Sequence, residues 1–371
     1  MEKVHYPNLN FLRGLTALIV VIHHTEQLKS TKGYPNIWHH EAVQLIGKLG
    51  VDVFFVLSGF LITSLLFIEQ KLVKKIPVKK FLMRRVLRIW PVYFLVFLIA
   101  FFITPFIHQL QVGPPFVSSR PQLILNIILY LLFLPHIQAY LIGPVVYCAQ
   151  SWSIGVEEYF YLCWPFVVNK FKTRGIVYFI VSFMLIYLAI CGGAVYLLDH
   201  GYCTRPLYQK IAVFIIYGLK FDCLLIGALF AIINNNIKNQ QSVFISWWFQ
   251  LLLYFTEIIL IYTAVELKGF YWELHAIIYG FIILNMVRKE TSIVNFEYPI
   301  FNFLGKISYG IYMYHVLIAN LCIIAVYKFK VPVLLYPLTF GVTILVSVLS
   351  YKYFEGFFLK KKLSYAIIKT G

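Results

Sequence analysis

The chain has 371 residues, 61% hydrophobic and 18% aromatic but only 13% charged, with a formal net charge of +17. A soluble domain carries nearer a quarter of its residues as charges, so the composition excludes a soluble enzyme and indicates a polytopic helical membrane protein. The positive charge collects in short loops between apolar runs, which reads as membrane topology rather than nucleic-acid binding, and a basic face of that kind can also hold anionic lipid or a phosphorylated ligand.

Apolar stretches of bilayer length lie near 9–28, 46–68, 89–107, 152–169, 175–197, 211–233, 243–264, 270–287, 303–325 and 333–354. These ten candidate spans predict an all-α transmembrane bundle. A further apolar stretch, 122–147, is broken by Pro135 and Pro144. It is an eleventh span, a re-entrant segment or an interfacial helix. The first apolar run has no small-residue cleavage site after it, so a retained helix is expected rather than a signal peptide. No repeat or low-complexity tract interrupts the chain. It reads as one domain, 1–371, with a core at 9–354, a short basic tail at 355–371 and no appended soluble domain.

Basic residues orient the bundle. Lys71, Lys74, Lys75, Lys79, Lys80, Arg84, Arg85 and Arg88 crowd residues 71–88, which should be cytoplasmic. Two spans precede this loop, so the N-terminus is expected on the same side. With ten crossings the basic segments at 169–174, 234–241, 288–290 and 359–362 also fall inside, both termini are cytoplasmic, and only 328–330 is out of place. A crossing by 122–147 would weaken that bias. The six cysteines show no CxxC and no metal-type spacing, so they read as packing residues and no metal is expected.

Ionisable residues at membrane depth are costly and mark function by default. In "RGLTALIVVIHH" (13–24), Arg13 and His24 are eleven residues apart. At 100° per residue they share one face, separated by ~16 Å along the axis, whereas His23 is turned about 80° away. In "GVDVFFVLSGFLIT" (50–63), Ser58 and Gly59 are small residues suited to close helix packing, while Asp52 would either orient a histidine or cap a helix. In "RRVLRIWPVY" (84–93), Arg84 and Arg88 share a face at the cytoplasmic surface, where arginines clamp phosphates or simply anchor the helix. "SWSIGVEEYFYLCWP" (151–165) carries adjacent Glu157 and Glu158, and one of them should find a partner such as His24 or an arginine. In "LGKISYGIYMYH" (304–315), Ser308, Tyr312 and His315 follow i, i+4, i+7 spacing, and His315 lies ~18 Å from the inner end. His24, a glutamate and His315 could therefore converge at one depth.

Taken together and in this order, with the late "SYKYFE" (350–355), these stretches resemble the acyltransferase-3 family of bacterial membrane acyltransferases over nearly the whole chain. The resemblance implies a ten-helix core in the bacterial cytoplasmic membrane that moves an acyl group, commonly acetyl from acetyl-CoA, onto a hydroxyl of a sugar or other acceptor. It places Arg13 and His24 in the catalytic motif and makes Arg84, Arg85, Arg88 and Arg13 the groups that contact CoA. The roles of Glu157, Glu158 and His315 are less defined by it. Asp52, Trp152, Ser153, Ser308 and Tyr312 stand as substrate-binding candidates. The expected partners are acyl-CoA, a carbohydrate or lipid-linked glycan, membrane lipid and a second copy in a homo-oligomer, with no nucleic acid and no permanently bound cofactor. Two other readings remain: a transporter or flippase of a lipid-linked sugar or small solute, and a non-catalytic subunit of a polysaccharide-export assembly. Against a transporter, the sequence shows no inverted repeat and no matching pair of broken helices.

Overall fold

The computed structural model describes residues 3–110, 120–236, 243–264 and 271–370. Six of its helices are long and apolar enough to cross a membrane: Glu41–Val73, Val78–Phe106, Thr173–Asp199, Pro206–Asn236, Pro299–Lys328 and Pro332–Tyr365. Two more, α1 (Leu9–Thr31) and α6 (Trp152–Lys170), have a span's length but carry ionisable residues along it. The chain is a multi-pass, all-α membrane bundle. Its one β feature among the described residues is a two-residue parallel pairing of Lys3–Val4 with Lys369–Thr370.

Contacts at the helix ends give the direction of each pass. At the basic end, the Lys71 ammonium of α2 (Glu41–Val73) donates to Asn235 of α9 (Phe221–Asn236) at 3.1 Å. There too, Asn169 of α6 hydrogen-bonds both the N–H and the carbonyl of Ile76, at 2.9 and 3.0 Å, just before α3 (Val78–Phe102). Asn8, before α1, donates to Met286 O at the end of α11 (Tyr271–Met286) at 2.9 Å. At the opposite end Tyr34, after α1, stacks on Tyr327 of α12 (Pro299–Lys328) with ring centroids 3.7 Å apart. Tyr336 of α13 (Leu335–Leu349) donates to Glu26 of α1 there. The passes therefore alternate through α1, α2, α3, α6, α7 (Thr173–Asp199), the α8 (Pro206–Tyr217) and α9 pair, α10 (Trp247–Thr263), α11, α12 and α13. Both termini meet at the basic end, as an even number of crossings requires.

Stretch 122–147 does not cross. α3 leaves the basic end and α6 returns to it, so the described residues between them begin and end in the far half of the bundle. α4 (Arg120–Leu131) dips inward until the Tyr93 hydroxyl of α3 donates to Tyr130 O at 2.8 Å and Phe133 stacks on Tyr93 at 4.6 Å. A short turn of helix at Pro135–Ile137 and a π turn at Gln138–Ile142 carry the chain back toward α6. α4 stops at Leu131, Phe133 turns the chain in the left-handed region at φ 56 and Pro135 opens the next helical turn, while the surrounding bundle supplies the partners that lipid cannot.

The span expected at 211–233 is longer and broken. α8 ends at Tyr217 and α9 starts at Phe221, with Lys220 in the left-handed region at φ 42. The freed carbonyls are capped from the side: Tyr140 OH donates to Tyr217 O at 3.2 Å and Tyr187 OH to Ile215 O at 3.4 Å. Lys220 is buried, 3.3 Å from the Asp52 carboxylate and 4.2 Å over the Trp272 ring. Asp52 therefore neither orients a histidine nor caps a helix, because its carboxylate neutralises this lysine. Replacing Lys220 by methionine should cost about 3–5 kcal/mol, since it strands a buried carboxylate, while adding Asp52→Leu should recover most of the loss. Unfolding of the purified variants in detergent measures both. A Lys220→Met protein as stable as the parent would show that the pair is not what holds the break.

The most extensive packing joins α1 to α12 and α2 to α9. In the second interface, a Cβ built on Gly59 would lie 1.9 Å from Leu224 O and one on Gly227 2.0 Å from Val56 O. Two backbones touch there, and the small residues of "LSGF" permit it.

Candidate active site

A cavity runs inward from the basic end between α1, α2, α3, α6 and α12. Arg13 of α1 and Arg85 and Arg88 of α3 line it nearest that end; Ser58, Glu157 and Tyr161 form its waist; Phe54, Ser153 and Tyr312 close it. Tyr312 is ~20 Å of helix from the start of α12, which places the closed end near mid-membrane.

The arginines divide into two sets. Arg84 is taken up structurally, donating to the buried Glu69 carboxylate and to Tyr365 O. It does not line the cavity, although it was expected with Arg85 and Arg88, because its position on α3 points it at α2 and the C-terminal tail. The Arg85 guanidinium lies 5.4 Å over both the Phe81 and Tyr161 rings, contacts that hold the arm extended while leaving its donors available. None of the ion pairs among the described residues includes Arg13, Arg85 or Arg88.

The glutamates take separate partners. Glu157 accepts from the Ser58 hydroxyl at 2.8 Å and from Tyr161 at 2.5 Å, facing the cavity. Glu158 turns away and accepts from the Trp90 indole at 3.2 Å. Glu157 is thus the one that faces the site. Neither glutamate reaches His24; of the two partners expected from the sequence, Glu157 lies beside the arginines. Trp152 leaves the cavity too, packing edge-on to Phe55 and near Tyr140. Ser153 and Tyr312 hydroxyls are 2.9 Å apart, and Tyr312 donates onward to Gln150 O at 2.7 Å. Ser308 lines the cavity and donates to Gly305 O at 2.9 Å.

His24 and His315 meet just past the closed end. His315 Nε2 lies 3.0 Å from His24 Nδ1, and His315 Nδ1 lies 2.7 Å from Tyr312 O. A carbonyl only accepts, so the neutral His315 carries its proton on Nδ1 and its Nε2 is an acceptor. His24 must then hold its own proton on Nδ1, shared with Val20 O at 3.1 Å. That leaves His24 Nε2 with a free lone pair on a half-buried ring. The orienting partner is the second histidine. His23, as the helical arithmetic expects, sits elsewhere, against Val43 O at 2.9 Å and the Trp38 ring at 4.9 Å.

Several buried polar residues were missed from sequence. Lys220 and Asp222 sit in an apolar run just as Arg13 does, and the rule that singles out Arg13 applies to them equally. Glu257, His275 and Tyr279 form a buried hydrogen-bonded group between α10 and α11, with His275 Nδ1 2.9 Å from both carboxylate oxygens. Glu26 accepts from Lys29 and from the Ile37 N–H, both at 2.6 Å, and ties the α1–α2 loop down over the histidine end of the bundle.

Comparison with known proteins bears on this arrangement. Residues 6–352 match a family profile described as an acyltransferase domain. A protein of Staphylococcus aureus (strain COL), provisionally named an O-acetyltransferase, is 25% identical over 97% of this chain and 58% of its own length. O-acetyltransferase OatA of Staphylococcus aureus (strain NCTC 8325 / PS 47) is 30% identical over 51% of this chain and 31% of its own. The chain thus spans little more than half the length of the first of these relatives. No solved structure matches it. The profile covers the arginine cluster, the cavity and the histidine pair alike, and the chain belongs to the acyltransferase-3 family of membrane acyltransferases.

Proposed function

We propose that the protein is an O-acyltransferase of the bacterial cytoplasmic membrane that moves an acyl group, acetyl from acetyl-CoA, to a hydroxyl of a cell-surface or lipid-linked carbohydrate. The observation that carries this reading is the cavity: three arginines without ion pairs at the basic end, and a histidine with a free lone pair just beyond the other. The phosphates of CoA suit Arg13, Arg85 and Arg88 by bidentate charge-assisted hydrogen bonding. The ~16 Å rise from Arg13 to His24 matches the reach of a pantetheine arm threaded up the cavity. His24 Nε2 takes the proton as the acceptor oxygen attacks the thioester carbonyl; the C–S bond breaks, and the thiolate leaves to be protonated. Glu157 remains beside the arginines, where it limits their repulsion between turnovers.

Membranes containing the protein, given acetyl-labelled acetyl-CoA on the basic side, should pass label to hydroxyl groups of endogenous glycan. Retention of all label on CoA, with the protein folded and present, would overturn the reading. The broken α8–α9 helix and its buried ion pair favour a second reading, a carrier of a lipid-linked sugar, since carriers also build sites at helix breaks. A carrier would change glycan export and leave its acylation unaltered.

A further inference from the structure

Past α13 the chain passes through a π turn, Ser350–Glu355, into α14 (Gly356–Lys362), which lies against α3. Three ties hold this tail across the basic end of the bundle. The Tyr314 and Ser350 hydroxyls lie 2.8 Å apart, Arg84 donates to Tyr365 O at 2.9 Å, and Lys369–Thr370 pair with Lys3–Val4. The tail therefore has a defined place beside the mouth of the cavity.

α14 ends in three consecutive lysines with different surroundings. Lys360 is exposed. Lys361 turns back over the Phe357 ring at 4.3 Å. Lys362 is half-buried and close enough to Arg88, Arg85, Arg84 and Arg13 to be repelled by all four. The acidic groups nearby do not balance this cluster. Glu69 is matched by Arg84, Glu157 is shared by Arg13 and Arg85, Glu158 also acts on Arg85, and Glu355 acts on Arg88. Five cations therefore face four carboxylates in a half-desolvated place, where like charges repel more strongly than in water. A folded tail that adds a fifth cation to such a cluster is arranged for an anion with several charges.

We propose that Lys362 is a phosphate-binding residue of the donor site, so that the C-terminal tail forms one wall of the mouth through which the acyl donor enters. The inference rests on the acyl-CoA reading above and adds to it a residue outside every motif of the sequence. Lys362 reaches the donor's phosphates and touches neither the thioester nor the acceptor. Its loss should therefore be felt in donor binding and vanish for a donor that lacks phosphates.

The test compares acetyl-CoA with acetyl-pantetheine, its phosphate-free fragment, on the purified full chain. Lys362→Gln should raise KM for acetyl-CoA about tenfold or more, the range for losing a hydrogen bond to a charged group, with kcat little changed. It should leave kcat/KM for acetyl-pantetheine unchanged, and Lys361→Gln should alter neither donor. Lys362→Arg, which keeps the charge, should restore most of the acetyl-CoA affinity. Where Lys362→Gln does not fold, Lys362→Met keeps the stem's packing without the charge and gives the same comparison. Equal losses for both donors would show a structural role and overturn the proposal. Parent protein that turns over acetyl-pantetheine no less well than acetyl-CoA would instead overturn the assignment of the arginines to donor phosphates, and the proposal with it.

Discussion

Replacing His24 by alanine should lower acyl transfer by about 10²–10⁴-fold, the span of general acid–base contributions, without loss of folded protein. The proton of His315 is fixed on Nδ1 by Tyr312 O, so His315 Nε2 accepts from His24 Nδ1, and His24 Nε2 is left as the free base. The other groups nearby are engaged: Glu157 is held by Ser58 and Tyr161, Tyr312 has spent its proton on Gln150 O, and His23, its ring 4.8 Å from that of His24, gives its Nδ1 proton to Val43 O. The ring of His24 is half-buried, so its removal opens little space in the core. His315→Gln should cost less, because Val20 O still accepts the His24 Nδ1 proton and preserves the tautomer. Initial rates with labelled acetyl-CoA, in membranes matched for protein content, check the pair. Parent-level activity in His24→Ala would remove this residue from the chemistry, and a larger loss in His315→Gln would reverse the two roles.

Gly59→Val and Gly227→Val should each destabilise the bundle by at least the upper end of the about 1–3 kcal/mol typical of overpacking. The groups in the way are carbonyl oxygens of the facing helix, at 1.9 and 2.0 Å from the added Cβ, and a backbone cannot rotate aside as a side chain can. α2 and α9 would have to separate along a seam that also carries the Asp52–Lys220 pair and one wall of the cavity. The expected result is a fall in the yield and thermal stability of detergent-solubilised protein. Gly192→Ala, on α7, serves as the contrast: nothing lies within 4 Å of its added Cβ, so the bundle should tolerate it. Parent-like stability in Gly59→Val would mean that the two helices do not approach as described.

Much of this was legible in the sequence because lipid enforces simple rules. Ten apolar stretches and the placement of lysine and arginine led to an even number of passes, and the paired termini agree. Helical arithmetic put Arg13 and His24 on one stripe; Arg13 lines the cavity and His24 lies past its closed end. The identities of partners were not legible. Arg84, Arg85 and Arg88 share one motif, but which of them faces a cavity depends on where Glu69 and the tail lie, 15 and 281 residues from Arg84. Asp52 read equally as a histidine's orienting group or a helix cap because its true partner, Lys220, lies 168 residues away in a span read as merely apolar. In a bundle buried on all sides, the polar stripe that normally tells a helix's outer face from its inner one is missing, and sequence spacing alone does not say which helix a given face will meet.

The re-entrant segment implies an order of assembly. The described residues between α3 and α6 begin and end in the same half of the membrane, and α4 has only 12 residues, too few to be inserted as a span of its own. Its polar backbone ends are satisfied by groups such as the Tyr93 hydroxyl, which are present only once α3 has met its neighbours. Two separable stages of biogenesis are therefore expected, threading of the crossings and later seating of the hairpin. Gln150, at the hairpin's far end, seats the Tyr312 hydroxyl and donates to Met313 O, so the closed end of the cavity is completed only in the second stage. Lesions in the hairpin would leave a chain of correct topology that the cell's insertion machinery accepts and that has no finished site.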